Sequence, residues 1–336
     1  MRRICFCLTY RAHYARLKKL IRMIADDPEF ELQIIAGGSV CLERFKRPVD
    51  IIRKDCFRVD SEVYFDVEGS TPLTMAKSLG LATIEFANEF ARLKPDFVVL
   101  MGDRFEAVAA GLAAATMNVC VTHAQGGEVS GSIDESYRHC LTKLAHYHVP
   151  ATERAKQNLV RMGERPETIL TVGCPGSDIA REIVPKPNGK LLVVYHPTTT
   201  AIERSVAEMK EILAAIELSR MPTLLFWPNV DAGSDAISKL IRTWRDRTRG
   251  LLLNVEYIRN MEPEAYQQAL ADAACCLGNS SSFVRDAGFY GTPTVIIGDR
   301  QHGREHDIHC QELLCDDALH IHHAVAFWRD NQKRFE

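Results

Sequence analysis

The sequence predicts an α/β protein built from two doubly wound domains with parallel sheets. Short apolar runs alternate with longer segments of helical periodicity, the pattern of strands joined by crossover helices. The continuous apolar run at Asp96–Met101 is typical of a strand covered on both faces. The 336 residues allow two domains, and an exposed stretch at 185–190, rich in Pro and Lys, separates two such series. We therefore predict domains at 1–172 and 173–336.

The first series carries helix and strand signals up to residue 172. Leu17, Leu20 and Ile21 recur on one face of an amphipathic helix, and Pro95 marks the end of a longer one. Residues 39–70 have weak strand signals and acidic loops, so we expect them to be irregular. The predicted strands are Ile4–Tyr10, Leu32–Ala36, Asp96–Met101, Val119–His123, Tyr147–Pro150 and Thr168–Val172. The predicted helices are Tyr14–Ala25, Leu73–Leu93, Phe105–Thr116 and Ile133–Ala145.

The second series begins at residue 191 and repeats the alternation. Its predicted strands are Leu191–Tyr195, Thr223–Trp227, Leu251–Val255, Ala274–Gly278 and Pro293–Ile297. Its predicted helices are Ile202–Leu218, Ser234–Thr248, Pro263–Asp272, Ser281–Tyr290 and His323–Lys333. Because each series alternates strand and helix, each predicts a parallel sheet of its own.

Composition and charge exclude several classes of protein. Hydrophobic residues make up 46% of the chain and charged residues 25%, which excludes disorder, collagen-like repeats and coiled coils. With 41 basic and 44 acidic residues, the formal net charge of -3 offers no basic surface for nucleic acid. No apolar run approaches the roughly 20 residues that span a bilayer, and the basic N-terminus lacks a cleavage site. We expect a cytoplasmic protein that binds neither nucleic acid nor membrane.

The eleven cysteines are predicted to be reduced thiols. Cys5 and Cys7 alternate within a predicted strand and the pair at 275–276 lies in another, where cysteine behaves as a small buried hydrophobe. An odd number of cysteines without a secretory signal also favours free thiols. A His- and Cys-rich region near the C-terminus lacks paired ligand spacing, since Cys310 and Cys315 lie five residues apart. We therefore expect neither a metal site nor a cofactor.

Several common motifs of α/β enzymes are missing from the sequence. There is no G-x-G-x-x-G after the first strand and no G-x-x-x-x-G-K-[ST], which argues against a dinucleotide dehydrogenase and a P-loop NTPase. There is also no G-x-S-x-G elbow of an α/β-hydrolase. In open α/β sheets, ligands bind outside the carboxyl ends of the strands. Five predicted strand ends carry polar clusters, at residues 10–14, 102–104, 123–135, 196–200 and 278–282.

The last of these clusters, GNSSS at 278–282, has the features of a phosphate site. Free backbone N–H groups, hydroxyls and the positive end of the helix dipole at a helix start bind a phosphate without a metal. A plain serine helix cap is the commoner alternative. Further along the chain, Asp286 can reach ribose hydroxyls and Arg300 can meet a phosphate bidentately. We therefore assign the nucleotide half of a nucleotide sugar to the second domain.

The first domain supplies groups for acid–base chemistry. Asp103, Glu128 and Asp134 are predicted to converge with His123, and His196 of the second domain is predicted to face them. Neighbouring carboxylates have pKa values pushed apart by their surroundings, so that one acts as acid and another as base. For each carboxylate the alternative is a helix cap or a loop salt bridge, most of all for Asp134. Four further residues are predicted to be structural: His13, His139, His146 and Lys143.

Seven motifs follow one another in order: YRAHY, GDR, GGEVSGSIDES, HPTTT, PNVDAGS, GNSSS and GDRQHGRE. With them the chain resembles the hydrolysing UDP-N-acetylglucosamine 2-epimerases from about Arg3 to about Glu305. The resemblance implies a GT-B-like architecture, in which two Rossmann-like domains face a central cleft that holds the active site. It also implies conversion of UDP-GlcNAc and water to ManNAc and UDP, by elimination of UDP to a glycal and hydration of that glycal.

The resemblance also assigns roles to residues. Those implied to contact the nucleotide or the diphosphate are Arg11, Arg104, His196, Asn229, Ser280, Ser281 and Arg300. His196 is implied as a catalytic residue as well, and Asp103 and Asp134 match carboxylates of proton transfer.

Two positions depart from the family pattern. Gln125 stands where relatives carry a Glu, and because an amide neither takes nor gives a proton at neutral pH, we expect Glu128 to take over that proton chemistry. Asp286 stands where the pattern has the longer Glu that holds the ribose. The shorter side chain either reaches the ribose through water or indicates a different nucleotide.

The leading expectation is a hydrolysing 2-epimerase for UDP-GlcNAc or a related UDP-2-acetamido sugar such as UDP-diacetamidobacillosamine. Three alternatives stay open: a non-hydrolysing UDP-GlcNAc 2-epimerase, a GT-B glycosyltransferase, and a catalytically silent nucleotide-sugar binder, which Gln125 makes plausible. The expected partner is a UDP-sugar, and a homo-oligomer, dimer or tetramer, is expected from the resemblance alone.

Overall fold

The computed structural model describes residues 1–251, 253–314 and 317–331. The chain divides into two compact units. The first contains residues 1–68, 73–129 and 133–178, and the second contains residues 69–72, 130–132 and the chain from Ile179 onward. Two short segments from the N-terminal half of the sequence therefore group with the second unit.

The first unit is built on a six-stranded sheet with parallel strand pairings. Its strands are β1 (Arg2–Leu8), β2 (Phe30–Gly37), β3 (Ser61–Val63), β4 (Phe97–Met101), β5 (Cys120–Ala124) and β6 (Tyr147–Val149). Their order across the sheet is β3-β2-β1-β4-β5-β6. The helices along this half of the chain are α1 (Arg11–Asp26), α2 (Val49–Lys54), α3 (Pro72–Leu93), α4 (Phe105–Thr116), α5 (Ile133–Leu144), α6 (Glu153–Arg161) and α7 (Gly176–Ala180).

The second unit has a six-stranded sheet of the same kind, again with parallel pairings. Its strands are β7 (Leu191–Val194), β8 (Thr223–Phe226), β9 (Val255–Ile258), β10 (Cys275–Gly278), β11 (Thr294–Ile297) and β12 (Cys310–Leu313). Their order is β12-β11-β10-β7-β8-β9. The helices are α8 (Ile202–Ser219), α9 (Ser234–Arg247), α10 (Pro263–Asp272), α11 (Ser281–Arg285) and α12 (Ala318–Asp330).

Both sheets have the same strand order when each is counted from its own first strand. The first strand of each unit, β1 or β7, lies beside the fourth, β4 or β10, and the chain winds outward from that pair in both directions. Such a reversal is a topological switch point, where the loops after the two central strands diverge and leave room for a ligand. The predicted fold class, α/β with two Rossmann-like doubly wound domains, is confirmed.

The side chains of the central strands alternate between the two faces of each sheet, and both faces are buried. In β1, Cys5 and Cys7 pack in one core cluster, while Phe6 and Leu8 pack in another. β7 divides its four apolar residues between two clusters in the same way. This two-sided burial explains why both strands are continuous apolar runs in the sequence.

Two predicted strands are wrong. The residues predicted at Thr168–Val172 contribute instead to a 3-10 turn at Pro166–Thr168 and to a single isolated bridge of Ile169. The strand predicted at Leu251–Val255 starts only at Val255, the last residue of the predicted range, and a 3-10 turn at Arg249–Leu251 precedes the strand. Leu252, within that prediction, and the last two residues of the helix predicted at 323–333 lie outside the described residues.

Helices α2 and α6 and strands β3 and β12 have no clear signal in the sequence. Helix α6 is short and strongly polar, although the Thr152 hydroxyl caps it by accepting from the Ala155 N–H at 3.1 Å. β12 is a half-buried edge strand with a polar centre, so it lacks an apolar run. The segment predicted to be irregular, residues 39–70, contains α2 and the three-residue strand β3.

Cysteine, metal and membrane features can be stated for the described part of the chain. The ten cysteines found there are free thiols. In those same ranges no group of His, Cys, Asp and Glu is arranged to bind a metal ion. Across residues 1–251, 253–314 and 317–331, no helix has the length and apolar character needed to cross a membrane. Cys315 of the His- and Cys-rich region lies outside these ranges.

Candidate functional site

The switch point of the first sheet is lined by the loops that follow β1 and β4. The β1 loop supplies Tyr10 and the β4 loop supplies Asp103 and Arg104. The Arg104 guanidinium carbon lies 4.9 Å from the centroid of the Tyr10 ring, a cation–π contact that joins the two loops. Arg11 begins α1 directly after the first loop, with its guanidinium carbon 6.0 Å from the Phe45 ring. The structure therefore places Arg11, Asp103 and Arg104 at one edge of the sheet.

Arg104 is held within the protein by Glu106. Its Nε lies 3.1 Å from Glu106 Oε2 and its Nη2 lies 3.1 Å from Oε1, which makes a bidentate ion pair. Arg104 is 5% exposed and Glu106 is fully buried. Burial raises the pKa of Glu106 to about 7, although the positive charge of Arg104 opposes the shift. Because the pair fixes the guanidinium, Arg104 presents a cation in one orientation.

Arg138 of α5 connects the two loops that carry the predicted carboxylates. Its side chain is fully buried, its Nη2 donates to Asp103 Oδ2, and its Nη1 donates to the Glu128 main-chain oxygen at 2.7 Å. Burial lowers the pKa of Arg138, but the charges of Asp103 and Glu128, with a smaller contribution from Asp134, outweigh burial and raise it. The Asp103 side chain keeps 17% of its surface exposed, so it is bound by Arg138 and still accessible. The three predicted carboxylates thus lie within electrostatic range of one buried guanidinium.

His123 and His13 are buried neutral side chains beside these loops. His123 Nε2 lies 2.8 Å from the Gly102 main-chain oxygen, and its Nδ1 lies 3.3 Å from Thr142 Oγ1. Burial lowers the pKa of His123 to about 4 and the pKa of His13 to about 3, with the charge of Arg104 adding to the shift at His13. We therefore assign His123 a structural role, because its buried ring contacts Gly102 in the turn that presents Asp103.

Gln125 follows β5 with a φ of 63°, a left-handed backbone conformation that is uncommon for a residue with a side chain. Its side chain is buried, and Nε2 donates to Cys174 Sγ at 3.3 Å. Arg16 of α1 donates to the same sulfur from Nη1 at 3.0 Å. The position where relatives are expected to carry a Glu thus holds an amide that donates to a sulfur.

In the second unit, Asn279 fixes the loop that follows β7. Its side-chain oxygen accepts from the His196 main-chain N–H at 2.8 Å, and its amide nitrogen donates to the His196 main-chain oxygen at 2.8 Å. The His196 ring is also held, with Nε2 3.1 Å from Asn229 Nδ2 and Nδ1 3.4 Å from the Asn229 main-chain nitrogen. The structure therefore brings His196 and Asn229 together at the second switch point.

Gly278 is required where β10 passes close to β7. Its φ is +137°, and a Cβ at this position would lie 2.1 Å from the main-chain oxygen of Val194. The next residues begin α11, which Ser280 caps by accepting from the Ser282 N–H at 3.4 Å. The hydroxyls of these two serines lie 2.8 Å apart, and Ser281 between them is half-buried.

Helix α11 is shorter than predicted. It spans Ser281–Arg285 and is followed by a 3-10 turn at Ala287–Tyr290, so the prediction of one helix over Ser281–Tyr290 is wrong. Asp286 closes the helix as its C-cap residue and is buried, with Oδ2 3.5 Å from Gln267 Nε2. Gln267 Oε1 in turn accepts from the Tyr290 hydroxyl at 2.7 Å. Burial raises the pKa of Tyr290, and the charge of Asp286 adds to the shift.

Arg300 and Gln301 bring the loop after β11 to the same place. Arg300 Nη1 and Gln301 Nε2 both donate to the Asn279 main-chain oxygen, at 3.2 and 2.8 Å. Gly131, in one of the two short segments that group with the second unit, donates its N–H to the Arg300 main-chain oxygen at 3.2 Å. A Cβ on Gly131 would lie 1.9 Å from the main-chain oxygen of Asp299, so only glycine fits. Asn279, on the loop after β10, therefore joins the loops that follow β7 and β11.

A buried carboxylate on α8 supports this group of loops. Glu208 Oε2 accepts from the Tyr195 hydroxyl at 2.5 Å, and its Oε1 lies 3.4 Å from Arg204 Nε. Arg204 Nη2 then contacts Asp299 Oδ1 at 2.5 Å. Burial raises the pKa of Glu208, while the hydrogen bond from Tyr195 and the charge of Arg204 oppose the shift. This network fixes Asp299, the residue before Arg300.

Sequence reasoning finds the polar loops but misses the residues that hold them. Arg138 lies four residues after Asp134, and Glu208 lies four residues after Arg204, a spacing that pairs side chains on a helix surface. That spacing predicts exposed ion pairs and gives no sign that either member is buried. Asn279 had a usable signal, because an Asn directly after a strand-ending glycine can hydrogen-bond neighbouring backbone.

The fold and the sites together define a class: a two-domain Rossmann-like α/β protein with a polar loop cluster at the switch point of each sheet. The chain belongs to the UDP-N-acetylglucosamine 2-epimerase family, whose model matches residues 22–334.

Individual relatives agree with this membership. The UDP-N,N'-diacetylbacillosamine 2-epimerase (hydrolyzing) of Legionella pneumophila is 31% identical over 318 residues, covering 91% of this chain and 83% of that protein. The GDP/UDP-N,N'-diacetylbacillosamine 2-epimerase (hydrolyzing) of Campylobacter jejuni is 28% identical, covering 90% and 82%. The crystal structure of the Methanocaldococcus jannaschii UDP-GlcNAc 2-epimerase in complex with UDP-GlcNAc and UDP matches with a TM-score of 0.77 at 16% identity, covering 99% of this chain and 94% of that one. This structural likeness concerns the fold.

Proposed function

We propose that the chain is a hydrolysing 2-epimerase that converts UDP-GlcNAc, or a related UDP-2-acetamido sugar such as UDP-N,N'-diacetylbacillosamine, and water into UDP and the free 2-epimeric sugar. Family membership supports the nucleotide-sugar substrate and the reaction at C2. Two relatives that carry the word hydrolyzing in their names support release of the free sugar. The observation that carries the proposal is the binding of Asp103 and the Glu128 loop by one buried arginine, Arg138.

In the first half of the proposed reaction, a base removes the proton from C2 of the sugar. The electron pair forms a C1–C2 double bond, and the bond from C1 to the UDP oxygen breaks, so that UDP leaves and a glycal remains. Asp103 is the proposed base. The Arg138 guanidinium favours its ionised form, and its partly exposed carboxylate remains accessible.

In the second half, water adds to C1 and a proton is delivered to C2 from the opposite face of the ring. A second group is therefore needed on that face, and the Gln125 amide cannot supply the proton. We assign this role to Glu128, whose main-chain oxygen is bound by the same Arg138. Asp134, within electrostatic range of that arginine, is the third carboxylate of the proposed proton-transfer set. Elimination and hydration need only these proton transfers and water, so the proposed mechanism uses no cofactor.

The second unit is proposed to bind the nucleotide. Its proposed contacts are His196, Asn229, Ser280, Ser281, Asp286 and Arg300, with His196 also a catalytic candidate. Asn279 gathers the loops that carry several of them, so they are fixed before a ligand arrives. In the first unit, Arg11 and Arg104 are proposed to offer positive charge to the diphosphate.

The test is incubation with UDP-GlcNAc and, separately, with UDP-N,N'-diacetylbacillosamine in deuterated water. We expect UDP to appear together with a free 2-epimeric sugar that carries deuterium at C2. An Asp103→Asn variant is the control, because it keeps the shape of the side chain and loses the base. UDP-ManNAc as the product would show a non-hydrolysing epimerase, and UDP release that depends on an added acceptor would show a glycosyltransferase. Absence of turnover with both substrates would refute the proposal.

One observation favours a second candidate, a catalytically silent nucleotide-sugar binder. Gln125 is buried and hydrogen-bonded to Cys174, so no carboxylate exists at that position. This candidate predicts UDP binding without release of sugar or exchange of deuterium into C2 over long incubation. The same experiment, with a binding measurement by calorimetry, separates it from the hydrolysing enzyme.

A further inference from the structure

Asp66 is a half-buried carboxylate at the carboxyl edge of the first sheet with no role in the contacts described above. It follows β3 after two further residues, in the segment that the sequence predicts to be irregular. The preceding Phe65 ring packs against the end of β2, where a Cβ added to Gly37 or Gly38 would lie 2.9 or 3.0 Å from a ring carbon. The following Val67 donates its N–H to Ser78 Oγ of α3 at 2.8 Å. Contacts on both sides therefore fix the position of Asp66.

The surroundings of Asp66 are those of the candidate site. Its charge interacts with the charges of Arg44 and Arg104, and it contributes to the raised pKa of Glu106. Arg104 follows Asp103 directly, so Asp66 lies within electrostatic range of the loop that carries the proposed base. Burial raises the pKa of Asp66 in spite of the two arginines. The structure therefore places Asp66 in the electrostatic surroundings of the candidate site.

The Oδ2 atom of Asp66 is buried, and among the described residues no donor forms a hydrogen bond with it. A buried acceptor without a donor costs free energy, and buried polar atoms in folded proteins nearly always have a partner. A carboxylate oxygen accepts from O–H and N–H groups. A 2-acetamido sugar carries both kinds of donor, as hydroxyls and as amide N–H groups.

We propose that Asp66 is a specificity-determining residue that accepts a hydrogen bond from the sugar of the substrate, through a hydroxyl or an acetamido N–H. This inference rests on the proposed function, since it takes a UDP-2-acetamido sugar as the ligand. It assigns part of the sugar recognition to the segment after β3, for which the sequence contains no motif.

The experiment measures binding of UDP and of UDP-GlcNAc by calorimetry in an Asp103→Asn background that prevents turnover. We compare that parent with the double variant that adds Asp66→Asn. UDP keeps the ribose hydroxyls and the diphosphate but lacks the sugar, so it distinguishes a sugar contact from a nucleotide contact. We expect the Kd for UDP-GlcNAc to rise about fivefold to tenfold, because Asn keeps an acceptor oxygen but loses the charge that strengthens the hydrogen bond, with the Kd for UDP within twofold.

Asp60→Asn is the matched control, because Asp60 is a nearby carboxylate whose partners are in the protein. Its Oδ2 accepts from the Ile34 N–H at 2.9 Å, and its Oδ1 lies 3.1 Å from Arg58 Nε. We expect this variant to bind both ligands like the parent and to melt at a lower temperature. Asp66→Asn should melt at the same or a higher temperature, because it removes a partly buried charge whose Oδ2 lacks a donor.

Three results would overturn the assignment: unchanged affinity for UDP-GlcNAc, an equal loss for UDP and UDP-GlcNAc, or a melting temperature lowered in parallel with affinity. If the parent binds neither ligand, the proposed function and the inference fall together. If the parent binds both but the wild-type protein shows no turnover, the proposed reaction fails while the sugar contact of Asp66 is still decided by the comparison.

Discussion

Protonation of His123 should weaken the first unit in mildly acidic solution. In the folded protein burial lowers the pKa of His123 to about 4, against 6.5 for an unperturbed histidine. Between these two values the unfolded state binds more protons than the folded state, so the free energy of unfolding rises with pH. The stability that neutral His123 supports is therefore complete above about pH 6.5 and is lost as the pH falls toward 4.

The size of this effect follows from the same two values. The full gap corresponds to about 3 kcal/mol, and about 2 kcal/mol of it is lost between pH 7.5 and pH 5. His13, whose pKa burial and the charge of Arg104 lower to about 3, adds a loss of similar size over the same interval. A His123→Gln variant removes one of the two contributions, because the amide can still donate to the Gly102 oxygen but does not titrate. We therefore expect the variant to lose about 2 kcal/mol less than the wild type over this interval.

The assay must report on the first unit alone. All three tryptophans, Trp227, Trp244 and Trp328, lie in the second unit, so their fluorescence follows that unit. Hydrogen exchange of peptides from β4 and β5, measured at pH 5 and pH 7.5 and corrected for intrinsic exchange, follows the first. Equal acid-induced losses of protection in wild type and His123→Gln would refute the reasoning, as would an NMR titration of His123 with a midpoint above pH 6.

Three further predictions concern the proposed site and its support. Glu128→Gln should lower turnover at least a hundredfold, while the affinity for UDP measured by calorimetry stays within twofold. Near-normal turnover would remove Glu128 from the mechanism. Arg138→Met should lower kcat at least tenfold and shift the acidic limb of the pH–rate profile to higher pH, because Asp103 loses the cation that favours its ionised form. An acidic limb at the same pH would contradict that role. Gly278→Ala should reduce the yield of folded protein and lower its melting temperature, because the new Cβ would lie 2.1 Å from the Val194 oxygen. A variant that melts like the wild type would show that β10 and β7 can move apart without loss of stability.

The sequence predicts the two sheets well because their central strands are apolar on both faces. β4 at Phe97–Met101 and α4 at Phe105–Thr116 match the predicted limits within one residue. Edge strands fail for the complementary reason: β12 is half-buried and polar, so no apolar run marks it. β3 has only three residues, too few for any period to be recognised.

For the candidate site, the sequence predicts which loops carry polar groups, because parallel strands place their carboxyl ends at one edge. It cannot predict which polar groups are buried. Glu106 and Arg138 occur in helices where a charged residue usually faces solvent, yet each is buried and pairs with a residue of the loop after β4. Their burial depends on how the elements pack, and helical spacing contains no information on that packing.

Arg138 has a consequence for how this region can change in evolution. One guanidinium binds the Asp103 carboxylate and the main chain at Glu128, so these three positions share a single set of contacts. The effects of substitutions at the three positions should therefore not add, and each single change should limit which second change is tolerated. A lineage that altered Arg138 would have to rebuild two loops at once, which makes the three residues one unit of selection.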